Sequence, residues 1–104
     1  MAKGILFVET HVDPEHADAY HAWYNGEHLS EVCNLDGFVS ARRFEPLKED
    51  GSYIAIYEIE AESVEAAKAT LDAFMKSGDM STPKGVAAGS PFVIKYYREI
   101  TTHP

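Results

Sequence analysis

Two strand-like runs, Phe38-Val39-Ser40-Ala41-Arg42-Arg43-Phe44 and Tyr53-Ile54-Ala55-Ile56-Tyr57-Glu58-Ile59-Glu60, flank the polar connection Lys48-Glu49-Asp50-Gly51-Ser52. The first alternates, with Phe38, Ser40, Arg42 and Phe44 on one face and Val39, Ala41, Arg43 and Glu45 on the other. The second is rich in Tyr and Ile, and the connection ends in turn formers, so the pair predicts a β-hairpin. Upstream, Ala17, Tyr20, Tyr24, His28, Val32 and Leu35 recur every three or four residues, the stripe of an amphipathic helix. Asp13-Pro14 supplies its start and Gly37 its left-handed end. Gly26 inside it costs about 1 kcal/mol relative to Ala, which predicts a kink or tight turn at Asn25-Gly26. Lys3 to Val12 precedes it as a strand.

Downstream, Ser63 caps a second helix with Val64, Ala67, Leu71, Phe74 and Met75 on one side. Ser77 to Pro91 is a loop, and Pro91 to Ile100 a closing strand. The order strand, helix, strand, strand, helix, strand predicts an α+β, ferredoxin-like domain spanning residues 1–104, with a four-stranded antiparallel sheet and both helices on one face. The strands carry large apolar side chains on both faces, but two helices cover only one. An exposed patch of that size is unusual for a monomer, so packing of two sheets in a symmetric homodimer is expected.

At 104 residues the chain has room for one domain that buries roughly two-thirds of its unfolded surface. Nine Lys and Arg face seventeen Asp and Glu, a formal net charge of −8. That balance argues against nucleic acid and against an anionic membrane as partners. Single Cys33 excludes an internal disulfide and a cysteine zinc site. No signal-peptide or membrane-spanning run is read, so a soluble, cytoplasmic protein is expected.

The segment Trp23-Tyr24-Asn25-Gly26-Glu27-His28-Leu29-Ser30-Glu31 holds most of the chemistry. Tyr24 and His28, four apart, share a helix face directed at the sheet. As a functional pair they read as a general acid–base and a hydroxyl donor. As structural residues they read as a core histidine bound to a carbonyl and a packed tyrosine. Periodicity alone leaves both open.

This segment, followed by Gly37-Phe38, Ser40-Ala41-Arg42-Arg43-Phe44, resembles the EthD-like and antibiotic biosynthesis monooxygenase-like proteins of the dimeric α+β barrel superfamily. The resemblance covers residues 3 to 100 in element order, and its distinctive residues lie within 23 to 44. Members usually carry Pro where this chain has Ser30 and Asp36. The resemblance implies a barrel-like homodimer, a pocket between helices and sheet in each subunit, and an inward His28. Relatives include cofactor-free oxygenases, cyclases, isomerases, dehydratases and haem-binding enzymes, so no single reaction follows.

Several other residues are candidates to contact a substrate. Glu9 and His11 share a strand face with Ile5 and Phe7. Arg42 and Arg43 point to opposite faces, and Arg42 is taken as the one that would bind a carboxylate or enolate oxygen, against the alternative of an ion pair with Glu58 or Glu45. Tyr57, Tyr96 and Tyr97 read as core or interface, with Tyr96 the candidate for the cavity. Trp23 either lines that site or anchors its helix elsewhere. Met80, with Val86, would close the 77–91 loop over an apolar ligand, against the alternative of a disordered crossover without function. His16, His21 and His28 lack metal-ligand spacing, so no metal site is expected. Cys33 reads as a small buried hydrophobe.

Together these residues predict a cofactor-independent enzyme, of lyase, isomerase, cyclase or oxygenase type, acting on a small hydrophobic, aromatic or polyketide-like carbonyl compound. His28 would move the proton and Tyr24 would stabilise the oxyanion. The alternatives are a non-enzymatic module for a small apolar ligand and a haem protein with His28 as axial ligand.

Overall fold

Strand β1 (Ala2–His11) lies inside the sheet, pairing antiparallel with β3 (Ser52–Ala61) on one edge and with β4 (Val93–Arg98) on the other. Strand β2 (Phe38–Phe44) pairs antiparallel with β3, giving the order β2-β3-β1-β4. These elements come from a computed structural model that describes residues 1–104. The arrangement is α+β and compatible with the ferredoxin-like fold, as the element order predicts. No helix is long and apolar enough to cross a membrane.

The first helical stretch is built in pieces. Asp13 caps it, its Oδ1 accepting from the Glu15 N–H at 3.1 Å, and a 3-10 turn, Pro14–His16, follows. Helix α1 (Ala17–Trp23) then runs into a five-residue π-helical segment, Tyr24–His28, and on into α2 (Leu29–Cys33). The irregularity expected at Asn25-Gly26 is therefore a widened turn, not a break. Gly37 exits at φ 96°, and a β-carbon there would meet those of Ala61 and Ala67 at 3.2 Å, so only glycine serves. Helix α3 (Val64–Ser77) is capped by Ser63, whose Oγ accepts from the Ala66 N–H at 3.0 Å.

Leu6, Val8 and Thr10 of β1, with Ala55, Tyr57 and Ile59 of β3, face the helices and are buried with Tyr20, Trp23, Tyr24 and Leu71. The opposite face of the sheet carries Ile5, Phe7, Ile54, Ile56, Phe44 and Tyr97, none fully buried. A thickness of 22 Å against 42 and 36 Å in the other directions fits one helical layer on one sheet.

One strand departs from simple alternation. The pairing of β2 with β3 shifts between Phe38 and Ser40. Phe38 is buried beneath the helices, and beyond the shift it is Ala41 and Arg43 that turn inward with it, not Ser40 and Arg42. A bulge adds one residue and so exchanges the faces of everything after it.

Candidate functional site

The π-helical segment is where the site begins. The Leu29 N–H reaches back to the Tyr24 carbonyl, five residues away. That wider turn brings Trp23 and His28 to the same side of the helix, with ring centroids 4.5 Å apart and planes within 18° of parallel. Tyr24 meets the His28 ring edge-on at 5.2 Å. Such segments recur at functional sites because they re-aim side chains that a regular helix would separate.

His28 is buried, and its Nδ1 lies 2.9 Å from the Oε2 of Glu31, one turn on. A carboxylate only accepts, so Nδ1 carries the hydrogen and donates it. This fixes the tautomer and leaves Nε2 as the free, proton-accepting nitrogen. Burial lowers the His28 pKa, outweighing the hydrogen bond and charge of Glu31 that favour the imidazolium. Burial alone would raise the Glu31 pKa, but hydrogen bonds from Ser81 and His28 bring it below the usual carboxylate value. A neutral imidazole beside an ionised carboxylate is the resting state that follows.

Glu31 is itself held by the loop after α3. It accepts from the Ser81 Oγ at 2.5 Å and from the Ser81 N–H at 2.9 Å. The Trp23 Nε1–H donates to the same Ser81 Oγ at 2.8 Å, closing a ring of Trp23, Ser81, Glu31 and His28. The loop is also pinned farther along, where Ala87 N–H donates to His11 O and Asp13 N–H to Gly85 O, both at 2.8 Å. A β-carbon on Gly85 would lie 2.5 Å from the His16 carbonyl, so the chain approaches α1 that closely only as glycine.

His28 and Trp23 open onto an apolar cavity of about 230 Å³ between the helices and the sheet. Its floor includes Leu6, Tyr57 and Tyr96, which pair across three adjacent strands, and Met80 from the loop lines it as well. The Tyr57 hydroxyl is buried and lies beside that of Tyr24. Burial raises its pKa, and the neighbouring Tyr24 hydroxyl adds to the effect. Lys68 and Asp72 at the rim pair with each other at 2.7 Å.

Of the residues nominated from sequence, His28, Trp23, Tyr96 and Met80 line this cavity. Tyr24 touches His28 but sits behind it, wholly buried, with its pKa raised to about 12 chiefly by burial. Glu9 pairs with Ile54 and Val93 on the uncovered face of the sheet, away from the cavity. Arg42 is on that face too, over the Phe44 ring at 5.3 Å. The inward arginine is Arg43, whose guanidinium lies 4.5 Å from the Tyr24 centroid and donates to Asn25 Oδ1 at 2.8 Å. Neither arginine forms an ion pair with Glu58 or Glu45. Val86 packs on the core without lining the cavity.

Glu31 and Ser81 are the participants that the sequence does not single out, and Tyr57, read there as core or interface, lines the cavity beside Tyr96. A carboxylate three residues after an inward histidine was the available signal for Glu31. His16 and His21 bind elsewhere, to Asp13 and Arg43. Asp13, Glu15 and His16 bring ligand atoms within 4.8 Å of one another on the surface, but Asp13 there is occupied in capping the helix start.

Residues 3–84 match the family described as a domain of unknown function, DUF4286. No curated protein and no solved structure matches the chain.

Proposed function

The chain belongs to the DUF4286 family, whose function is unknown, and on that premise we propose, from the site alone, that it is a small enzyme using His28 as general acid–base on a hydrophobic carbonyl compound without a cofactor. The observation that carries the reading is the His28–Glu31 pair at 2.9 Å, which presents a neutral imidazole with Nε2 free in an apolar cavity. A base of that kind removes a proton from the carbon next to a carbonyl, the C–H electron pair becoming the enolate, and can return the proton to another position. Enolate-forming lyase, isomerase, cyclase and cofactor-free oxygenase reactions begin so. The cavity is smaller than the roughly 300–1,000 Å³ of drug-sized pockets, which favours a one- or two-ring substrate over a haem.

A homodimer of the dimeric α+β barrel type, with EthD-like proteins as relatives, and a cytoplasmic setting belong to the same proposal. The apolar residues of the uncovered sheet face, Phe7, Ile54 and Ile56 at its centre, support the dimer.

Hydrogen–deuterium exchange of 2-tetralone in D₂O, followed by proton NMR, tests the chemistry. The protein is expected to speed exchange about 100-fold or more over buffer, and His28→Gln to abolish the gain. Exchange that is undiminished in the folded variant sinks the assignment. A protein that binds 2-tetralone without exchanging it is a binding module, the second reading that the mainly apolar lining supports.

A further inference from the structure

We infer that the uncovered face of the sheet binds a second copy of this chain with the strands of the two sheets crossed, Arg42 and Lys95 of each copy meeting Glu9 and Glu58 of the other. The inference rests on the homodimer reading above and assigns the contacts that hold and orient the pair.

The strand register arranges this face in rows. Arg42, Ile56, Phe7 and Lys95 lie side by side across the four strands. Glu9 stands one row to one side, next to Ile54, and Glu58 one row to the other, next to Ile5. The apolar centre at Ile56 and Phe7 is thus flanked by two cations and two carboxylates, a neutral set in a chain of net charge −8. None of the four forms an ion pair within the chain, whereas Lys3 and Glu60, farther along the same face, do. Glu9 and Glu58 are already half-buried, and covering them with apolar surface alone would leave their charges stranded. An occupant of this face must bring cations to the carboxylates and carboxylates to the cations. A second copy brings both.

Spacing decides the orientation. Strands lie about 4.8 Å apart, so Arg42 and Lys95, on the two edge strands, are separated by about 14 Å. Glu9 and Glu58 are on adjacent strands but two rows apart, which at about 3.4 Å per residue is also about 14 Å. The two lines bisect each other between Ile56 and Phe7 and cross at about 70°. Packing with the strands aligned would set cation on cation. A crossing near the orthogonal class sets each cation of one copy over a carboxylate of the other, and two-fold symmetry makes every such contact twice.

Sedimentation velocity on the whole protein, with circular dichroism to confirm folding, tests the pairing. Wild type is expected to sediment as two chains. Arg42→Glu with Lys95→Glu makes the face wholly acidic and is expected to weaken self-association about 100-fold or more. Arg42 and Lys95 are exposed, so this variant keeps its core and decides the point by itself. Glu9→Lys with Glu58→Lys makes the face wholly basic and is expected to act alike, and the two double variants, mixed in equal amounts, to pair with each other. A chain carrying all four exchanges restores the alternation of sign and is expected to self-associate within about tenfold of wild type. If wild type pairs, then double variants that pair equally well, a mixture that stays apart, or a folded fourfold variant that remains single overturns the crossed charge pairing and leaves the homodimer reading in place. A wild type that sediments as one chain removes both, and the exchange of 2-tetralone still decides the His28 chemistry.

Discussion

The indole of Trp23 lies almost flat on the imidazole of His28, 4.5 Å between centroids and 18° from parallel. Residues five apart on a regular α-helix point about 140° away from each other. The π-helical turn of Tyr24–His28 removes most of that angle. One face of the base is thereby covered by an aromatic ring whose own N–H is tied to Ser81. The imidazole is left one edge toward Glu31 and the other toward the cavity.

The ionisation of His28 makes acid sensitivity the first expectation. Burial puts its pKa below the ordinary 6.5 despite Glu31. Unfolded chains protonate this histidine near pH 6.5 and the folded protein does so only lower, so stability is full above that pH and declines as pH falls below it. Glu31 acts with the same sign farther down. Its folded pKa is under 4.5, so its contribution is present above 4.5 and is lost as pH falls toward the native value. Histidine NMR should show one buried ring titrating below 6.5, with a lower urea midpoint at pH 5.5 than at 7.5. A His28 resonance that titrates above 6.5 contradicts the site as described.

Ser81 is the clasp of the loop, so Ser81→Ala should loosen it. The Trp23 N–H loses its acceptor and Glu31 one donor, at a cost of about 1–2 kcal/mol. Amide exchange around residues 79–84 should quicken. The His28 titration should move upward, because the Glu31 charge is then shared with fewer donors. Unchanged exchange and titration would show that the ring of hydrogen bonds does not hold the loop.

Much of the fold and half of the site were legible in the sequence, for identifiable reasons. The stripe through Tyr20, Tyr24, His28 and Val32 and the caps at Asp13 and Ser63 are local signals, and local geometry obeys them. Trp23 was ambiguous because its position depends on the turn widening, not on residue type. Arg42 was favoured over Arg43 because alternation was counted through the shift at Phe38 and Ser40. Glu9 was assigned without knowing which face of an equally apolar strand meets the helices. Ser81, 50 residues from Glu31, leaves no trace in spacing.

The two neighbouring arginines should behave oppositely on substitution. Arg43 stacks over Tyr24 and donates to Asn25 and His21, geometry that a lysine cannot reproduce. Arg43→Lys should cost about 1 kcal/mol in urea denaturation. Arg42→Lys, on the exposed face, should stay within about 0.5 kcal/mol of wild type. Equal effects would mean that the inward and outward assignments are wrong.

Sedimentation velocity checks the proposed pairing of sheet faces. The protein should sediment as two chains, and Ile56→Lys, which puts a charge beside Phe7 and Arg42 on the uncovered face, as one. A wild type that remains a single chain at high micromolar concentration removes the dimer.

The floor of the cavity joins Tyr57, Leu6 and Tyr96 side by side, so it draws on both ends of the polypeptide. Neighbouring segments can fold early, but a contact between residues 6 and 96 must await closure of nearly the whole chain. A chain that lacks β4 lacks Ile94 and Tyr96 from the cavity lining, although His28 and Glu31 lie far upstream of it. Competence to capture a ligand is thus a property of the finished molecule, and a fluorescent occupant would report the final act of folding rather than its beginning.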